Sequence, residues 1–370
     1  MKIAISCHPT YGGSGVVATE LAMALAERGH DMHVVSCERP FRLKDRDDIT
    51  FHRVNVSEYP LFKYPPHDLT LANLLAEVAV EHQLDIIHAH YAVPHAVSAM
   101  LAREILCDHE SDVKVVTTVH GTDITLVGSN RDFYRVCRYA MLRDDGTTAV
   151  SQWLADETKK TFNLPDLPEV IPNFVDCDRF TSKKRSDHPD GGRLTILHAS
   201  NFRPVKRVFD VVRSFAAIRR TLDAKLVMVG DGPERGAAVE LAAELGLADH
   251  VAFPGTQVDI EQAYREAHLF LLLSQYESFG LSALEAMACG TPVVVSKAGG
   301  LVEVVDDGQS GRLCAVGDTE AVAAAAVEIL GDAATWRQFS LAARTRARRR
   351  FCKELIIPQY ESFYERVLAG

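Results

Sequence analysis

The chain has no C-x-x-C pair, no surplus of positive charge and no apolar run approaching a membrane span of about 18 residues. Its eight cysteines (Cys7, Cys37, Cys107, Cys137, Cys177, Cys289, Cys314, Cys352) are scattered. Metal and disulfide frameworks show clustered spacing, so this pattern predicts that most are buried or surface thiols in a reducing cytoplasm. Lys and Arg number 40 against 50 Asp and Glu, a net charge of −10. That balance speaks against a nucleic-acid partner, which calls for a basic face, and no stable membrane association is expected. The start, MKIAISCHPTYGG, turns polar after a short apolar stretch and reads as a first strand, too short for a secretory apolar segment. The G-x-G-x-x-G dinucleotide fingerprint is missing as well. Gly15 is followed by Val16, Val17 and Ala18, which disfavours a dehydrogenase.

What is present is an ordinary globular composition, 47% hydrophobic and 24% charged, over 370 residues. That length predicts two domains. Strand patterns at 2–7, 32–36, 85–90, 113–120 and 146–151 are interspersed with helical periodicity, including that of GVVATELAMALAERGH before Gly29 and a helix from Trp153 to Phe162. The stretch 163–180 holds three prolines and ends the periodicity, and 182–193 is polar and rich in charge. A second set of strands follows at 194–200, 224–230, 250–255, 268–274 and 291–296. The fold class is therefore α/β, two doubly wound halves with a boundary near 170–190, and ligands bind such sheets at the carboxyl ends of the strands. The final helix, from Lys353 to Leu368, puts Leu355, Ile356, Tyr360, Phe363, Tyr364 and Val367 on one side, with a kink expected at Pro358.

The richest segment is SQYESFGLSALEAMACGTPVVVS, 274–296, where Glu277 and Glu285 flank a Phe-Gly step. Apolar runs on either side read as buried strands and LSALEAMA as a helix. The loop thus offers backbone N–H groups at a helix N-terminus, suited to a diphosphate. Spacing alone fits an ordinary βαβ unit with two solvated acids equally well.

Other strand ends carry comparable signals, each with a plainer reading beside it. In YGGSGVVATEL (11–21), Gly12, Gly13 and Gly15 permit close backbone approach, or simply a tight turn. HAHYAVPHAV (88–97) suggests metal ligation through His88 and His90, but no acid or cysteine stands at ligand spacing. Polar lining is the better reading there, with Tyr91 and His95 as acceptor holders. In TTVHGTDIT (117–125), His120 suits a sugar hydroxyl or a proton shuttle, against a satisfied core histidine. Asp123 either orients it or caps the next turn. HASNFRPVKR (198–207) puts Arg203, Lys206 and Arg207 at a strand end. Cations there oppose the helix dipole and so favour an anionic ligand. VGDGPER and GTQVD either line a nucleobase pocket or turn the chain, Lys297–Gly300 is another turn before a helix, and the arginines at 344–350 suit a solvated or domain-contact helix better than a membrane-surface or acidic-partner patch.

Taken in order along the whole chain, these motifs resemble GT-B glycosyltransferases of family 4. ESFGLSALE matches the family's Glu, seven residues, Glu element, and Lys206 stands in the place of its basic residue. Where many members have arginine five residues before that lysine, this chain has Asn201. PTYGGSGVVATELA, PFRL, FKYPPHDLTLA, DIIHAHYAVPHAV, TTVHGTDIT and SNFRPVKR resemble the branch that makes N-acetylglucosaminyl malate in bacillithiol biosynthesis.

The resemblance implies two Rossmann-like domains facing across a cleft: 1–170 for the acceptor, 171–350 for the UDP-sugar, and a helix at 351–370 packing back on the first. It implies retaining transfer of GlcNAc from UDP-GlcNAc to the hydroxyl of L-malate, with no cofactor and no metal. His120, Lys206 and Glu277 would be catalytic. The donor would be held by Gly13, Ser14, Asn201, Arg203, Lys206, Arg207, Gly230, Glu277, Phe279, Gly280, Leu281 and Glu285, with the phosphate contacts shared in an open way among Arg203, Lys206 and Arg207. Malate would be held by Ser14, Tyr91, Thr118 and Arg138, the last because a dicarboxylate suits a guanidinium fork. Alternatives are another acceptor (inositol phosphate, a sugar or a lipid) or a sugar-nucleotide epimerase of the same fold. A homo-oligomer is left open.

Overall fold

The structure is a computed structural model that describes residues 1–9, 13–43, 46–56, 63–108, 112–128, 130–182, 192–257 and 259–370. Tyr11 and Gly12 of the glycine loop, Phe62, residues 109–111 of the polar loop, 183–191 of the linker and Val258 lie outside them. The chain forms two compact units, Met1–Asn173 with Glu354–Gly370, and Phe174–Lys353.

Among the described residues the first unit contains a seven-stranded parallel sheet. Its strands are β1 (Lys2–Ser6), β2 (Asp31–Ser36), β3 (Ile49–Arg53), β4 (Ile86–His90), β5 (Lys114–Val119), β6 (Gly146–Ala149) and β7 (Glu169–Val170), in the order β3-β2-β1-β4-β5-β6-β7. Ile3, Ile5, Val34, Ile86, Ile87, Val115 and Val116 are fully buried, which is why these strands read as continuous apolar runs: helices cover both faces. The crossovers are α1 (Gly13–Glu27), α2 (His67–His82), α3 (Val97–Ile105), α4 (Arg131–Arg143) and α5 (Gln152–Phe162). Ser151 starts α5 by accepting a hydrogen bond from the Leu154 N–H at 3.1 Å, a cap that contributes about 1 kcal/mol.

The second unit has a six-stranded parallel sheet: β8 (Leu194–Ala199), β9 (Ala224–Val229), β10 (Val251–Gly255), β11 (Leu269–Leu272), β12 (Val293–Ser296) and β13 (Gly311–Cys314), ordered β10-β9-β8-β11-β12-β13. Its helices are α6 (Val208–Ile218), α7 (Arg235–Glu244), α8 (Ile260–Glu266), α9 (Leu281–Ala288), α10 (Leu301–Val304), α11 (Thr319–Leu330) and α12 (Ala333–Arg350). Ile196, Leu226, Leu271 and Val294 pack with Val211, Phe215, Ile329 and Trp336 in its core.

The last helix, α13 (Lys353–Ala369), runs through Pro358 and belongs, from Glu354 on, to the first unit. Its Tyr364 hydroxyl meets His88 Nδ1 at 2.8 Å, and Glu361 takes a bidentate pair from Arg28. Leu355, placed by periodicity on the buried side, is 46% exposed; Ile357 is buried with Ile356, Tyr360, Phe363 and Tyr364 instead.

The structure corrects the sequence at two further points. Strands β3, β7 and β13, each a short strand at a sheet edge, are absent from the sequence reading. The cysteines are not all thiols: Cys177 and Cys352 are joined in a disulfide, with Cα atoms 5.7 Å apart and a sequence separation of 175. No local spacing announces so distant a pair. The basic run is partly absorbed into packing, since Arg346 donates to the Val304 carbonyl at 2.5 Å and the Glu303 carbonyl at 2.8 Å, closing the end of α10.

Candidate active site

Each sheet reverses its strand order once, between β1 and β4 in the first unit and between β8 and β11 in the second. A crevice opens at the carboxyl ends of such a strand pair. In the second unit the loop after β8 carries Asn201, Arg203, Lys206 and Arg207, and the loop after β11 carries Ser274 and Glu277. The fold thus brings Lys206 and Glu277 together across 71 positions: Lys206 Nζ donates to Glu277 Oε2 at 2.7 Å, and Ser274 Oγ to the same oxygen at 3.1 Å.

Behind Glu277 the chain turns at Gly280, with φ +95°, directly into α9, and no side chain caps that helix. Its first N–H groups therefore lack a side-chain partner beside a carboxylate and an ammonium, the arrangement that receives a phosphate. A second turn braces the loop: Gly300 N–H donates to the Glu277 carbonyl at 2.8 Å. A Cβ on Gly299 would come within 2.0 Å of that same oxygen. Phe279 is buried edge-on against Phe351, and Leu281 opens the helix. Two turns in, Glu285 is 4% exposed and accepts from the Tyr264 hydroxyl at 3.0 Å.

The remaining donor candidates sit around this core. Gly230, at the end of β9, donates its N–H to the Gly255 carbonyl at 2.9 Å. Arg207 donates to Asp210 at 2.6 Å, whereas Arg203 and Asn201 are exposed. A separate pocket of about 470 Å³, lined by residues such as Thr195, Lys225, Gln257 and Glu266, contains none of these side chains.

In the first unit, β4 ends in His90, His120 follows β5, and His95 lies beside Ser6 at the end of β1. His90 Nδ1 lies 3.0 Å from His120 Nε2, and His95 Nδ1 lies 2.8 Å from Ser6 Oγ. Burial lowers His120 to about 3 and His90 and His95 well below the usual imidazole range, so all three rings are neutral at pH 7. Asp123 acts on the backbone rather than on the His120 ring. It accepts from the N–H groups of His120 (3.1 Å), Gly121 (2.6 Å) and Ala92 (3.3 Å), pinning two strand ends together, and burial raises it to about 6. Tyr91 holds φ +102°, a conformation that costs of order 1–3 kcal/mol outside glycine, and its hydroxyl lies 2.7 Å from Thr122 Oγ1. Gly13 and Ser14 form the first turn of α1.

Two acceptor candidates are not where the sequence put them. Thr118 is fully buried, its hydroxyl 2.7 Å from His88 Nε2 and 2.6 Å from Thr148, so it presents nothing to a ligand; the threonine beside Tyr91 is Thr122. Thr118 lies within β5 on the face that α13 covers, beside His88 and Thr148, while Thr122 lies past the strand end. Arg138 donates to the carbonyls of Phe162 (2.8 Å) and Asn163 (3.4 Å) at the end of α5. His88 is not a metal ligand either: its two nitrogens face Tyr364 and Thr118. Sequence reasoning missed Tyr264 and the Gly299–Gly300 brace. The glycine pair was a visible signal; Tyr264 had none.

The family description "Glycosyltransferase Family 4" matches residues 11–179 and "Glycosyl transferases group 1" matches residues 179–346. The N-acetyl-alpha-D-glucosaminyl L-malate synthase of Bacillus anthracis is 44% identical over 100% of this chain and 97% of its own. The chain belongs to glycosyltransferase family 4. The D-inositol 3-phosphate glycosyltransferase of Stackebrandtia nassauensis is 30% identical to this family 4 chain, over 82% of it and 75% of the relative. Anabaena HepE, solved with UDP and glucose, shares the fold at a TM-score of 0.83 with 23% identity over 99% of each chain. The family 4 enzyme thus has the GT-B fold of two Rossmann-like domains.

Proposed function

We propose that this family 4 glycosyltransferase moves N-acetylglucosamine from UDP-N-acetylglucosamine to the hydroxyl of L-malate, with retention at the anomeric carbon. The observation that carries the reading is the 44% identity to the malate synthase along the full chain. The donor is assigned to the second unit. Lys206 and the uncapped first turn of α9 stabilise the diphosphate, joined by Arg203 or Arg207, while Asn201 and Gly230 line the same strand ends. Glu277 accepts from sugar hydroxyls and Glu285 from the ribose.

In the transfer the bond from the anomeric carbon to the diphosphate oxygen breaks. The malate oxygen bonds to that carbon on the same face, and the malate hydroxyl proton passes to the departing phosphate. Charge grows on the leaving group, so fixed cations and amides aimed there lower the barrier most. On this reading they carry that charge without a metal. Gly13 and Ser14 at the α1 terminus and Tyr91 on its strained backbone are assigned to substrate, and the neutral His120 donates a hydrogen bond to the sugar. We place the enzyme in the cytoplasm, since six of its eight cysteines are free thiols against the single Cys177–Cys352 disulfide.

The test is UDP release from UDP-N-acetylglucosamine with L-malate, inositol phosphate, simple sugars or no acceptor. Release that depends on malate is expected; equal release without it, or preference for another acceptor, overturns the assignment. Lys206→Ala should lower turnover by about 10²–10³-fold with unchanged circular dichroism, the typical loss when one charge-stabilising donor is removed.

A further inference from the structure

Away from the strand ends just described, the first unit gathers a second set of histidines that the transfer reaction does not use. His33 lies on β2, His52 on β3 and His82 at the last position of α2. The register pairs His33 with Thr50 and Val35 with His52, so the two histidines stand diagonally on the same face of the sheet. Val35 packs with Leu71, Leu75 and Ala79 of α2, which identifies that face as the one α2 covers, and α2 delivers His82 onto it as it ends.

The three rings offer one nitrogen each, all within 4.8 Å of one another. His33 Nδ1 and His52 Nε2 are only 2.9 Å apart, and the His33 and His82 ring centroids are separated by 4.2 Å. We propose that His33, His52 and His82 form a binding site for a divalent transition-metal ion of the zinc type, tying the edge strand β3 to β2 and α2.

Several features fit that ion. Neutral imidazole is a good ligand for zinc, copper, nickel and cobalt, and three histidines with an open fourth position are a known zinc arrangement. Ligand nitrogens at about 2.05 Å around a tetrahedral ion stand about 3.3 Å apart, so the most distant pair has to close by at most about 1.5 Å. His52 and His82, each only partly buried, can make that movement, while His33 is 1% exposed and fixed by the sheet.

The outer nitrogen of His33 supplies independent support. His33 Nε2 is buried and has no hydrogen-bond partner, yet it lies 3.4 Å from Asp31 Oδ1. With Nδ1 on a metal, the ring's proton must sit on Nε2, facing that carboxylate, and a carboxylate behind a ligating histidine orients the ring and raises its basicity. Burial and the neighbouring rings of His82 and His52 keep His33 uncharged at neutral pH, the form that ligates.

The experiment uses the full chain without a histidine tag, stripped with chelator and titrated with zinc chloride. Cobalt chloride serves as a spectroscopic probe. One equivalent of zinc should bind, raising the thermal midpoint by several degrees, and cobalt should give visible bands of nitrogen-ligated tetrahedral metal. In His52→Gln and His82→Gln, both partly exposed and expected to fold, zinc affinity should fall at least tenfold and the midpoint shift should vanish. Malate-dependent UDP release, far from this cluster in mechanism, should persist in both variants. Absence of stoichiometric binding, or binding unchanged in both His52→Gln and His82→Gln, overturns the site.

Discussion

Glu277 and Glu285 are chemically identical side chains that the fold puts to different use. Glu277 is partly exposed, shares an oxygen with Lys206 and Ser274, and is open to exchange partners with a ligand. Glu285 is nearly buried and held by Tyr264, an oriented acceptor. Removing the Tyr264 hydroxyl should therefore loosen Glu285 without touching the diphosphate contacts. Tyr264→Phe is expected to cost about 1–3 kcal/mol of stability, since it leaves a buried carboxylate short of a donor. It should also raise the KM for the nucleotide sugar several-fold with little change in kcat. Urea unfolding and initial rates at varied donor concentration would check both; a fall in kcat alone would contradict the assignment.

At the scale of elements, the working parts are strand-to-helix loops braced by their neighbours. The loop after β11 depends on the turn after β12, where Gly299 adopts φ +55° against the Glu277 carbonyl. Gly299→Ala adds a methyl group 2.0 Å from backbone oxygen, in a conformation that L side chains avoid. The loop must move, carrying Glu277 away from Lys206. A loss of transfer activity of about 10²-fold, greater than any loss of donor binding, is the expected result, because misplacement by about 1 Å has that effect on positioned groups. Full activity in this variant would show that the brace is dispensable. The loops of the first unit follow the same plan, with Asp123 in place of a glycine: one carboxylate gathers N–H groups from two strand ends.

Over the whole molecule, buried neutral histidines set the response to acid. His88 and His198 are fully buried, and desolvation lowers them to about 3 and about 4. In the unfolded chain both rings titrate near 6.5. Between those values the unfolded state binds more protons, so stability rises with pH: it is fully present above about 6.5 and is lost as pH falls toward 3. Thermal midpoints should drop steadily from pH 7 to pH 5, and His88→Gln, if folded, should show a shallower slope. A midpoint independent of pH across that range would contradict the burial argument. The Cys177–Cys352 bond acts at the same scale, closing a loop of 175 residues that holds nearly all of the second unit. Its reduction should cost about 2–5 kcal/mol, measurable as a lower urea midpoint with dithiothreitol than without, and Cys352→Ser should abolish the difference.

The sequence by itself determined the two α/β sheets, their principal strands to within a residue or two, and the loops that carry the candidate site. Long apolar runs, helical periodicity and glycine-rich turns are local signals, and local signals survive in one dimension. It gave no notice of edge strands such as β3 and β13, whose few residues are held by neighbours rather than by their own pattern. Tertiary structure decided which side chains meet. Lys206 reaches Glu277 because β8 and β11 are neighbours in a sheet whose order reverses there, and Tyr264 reaches Glu285 because α8 lies against α9. Burial decided the rest. Thr118 and Thr122 look alike in sequence, yet one is sealed within β5 on the face that α13 covers and the other stands past the strand end beside Tyr91; only packing separates them.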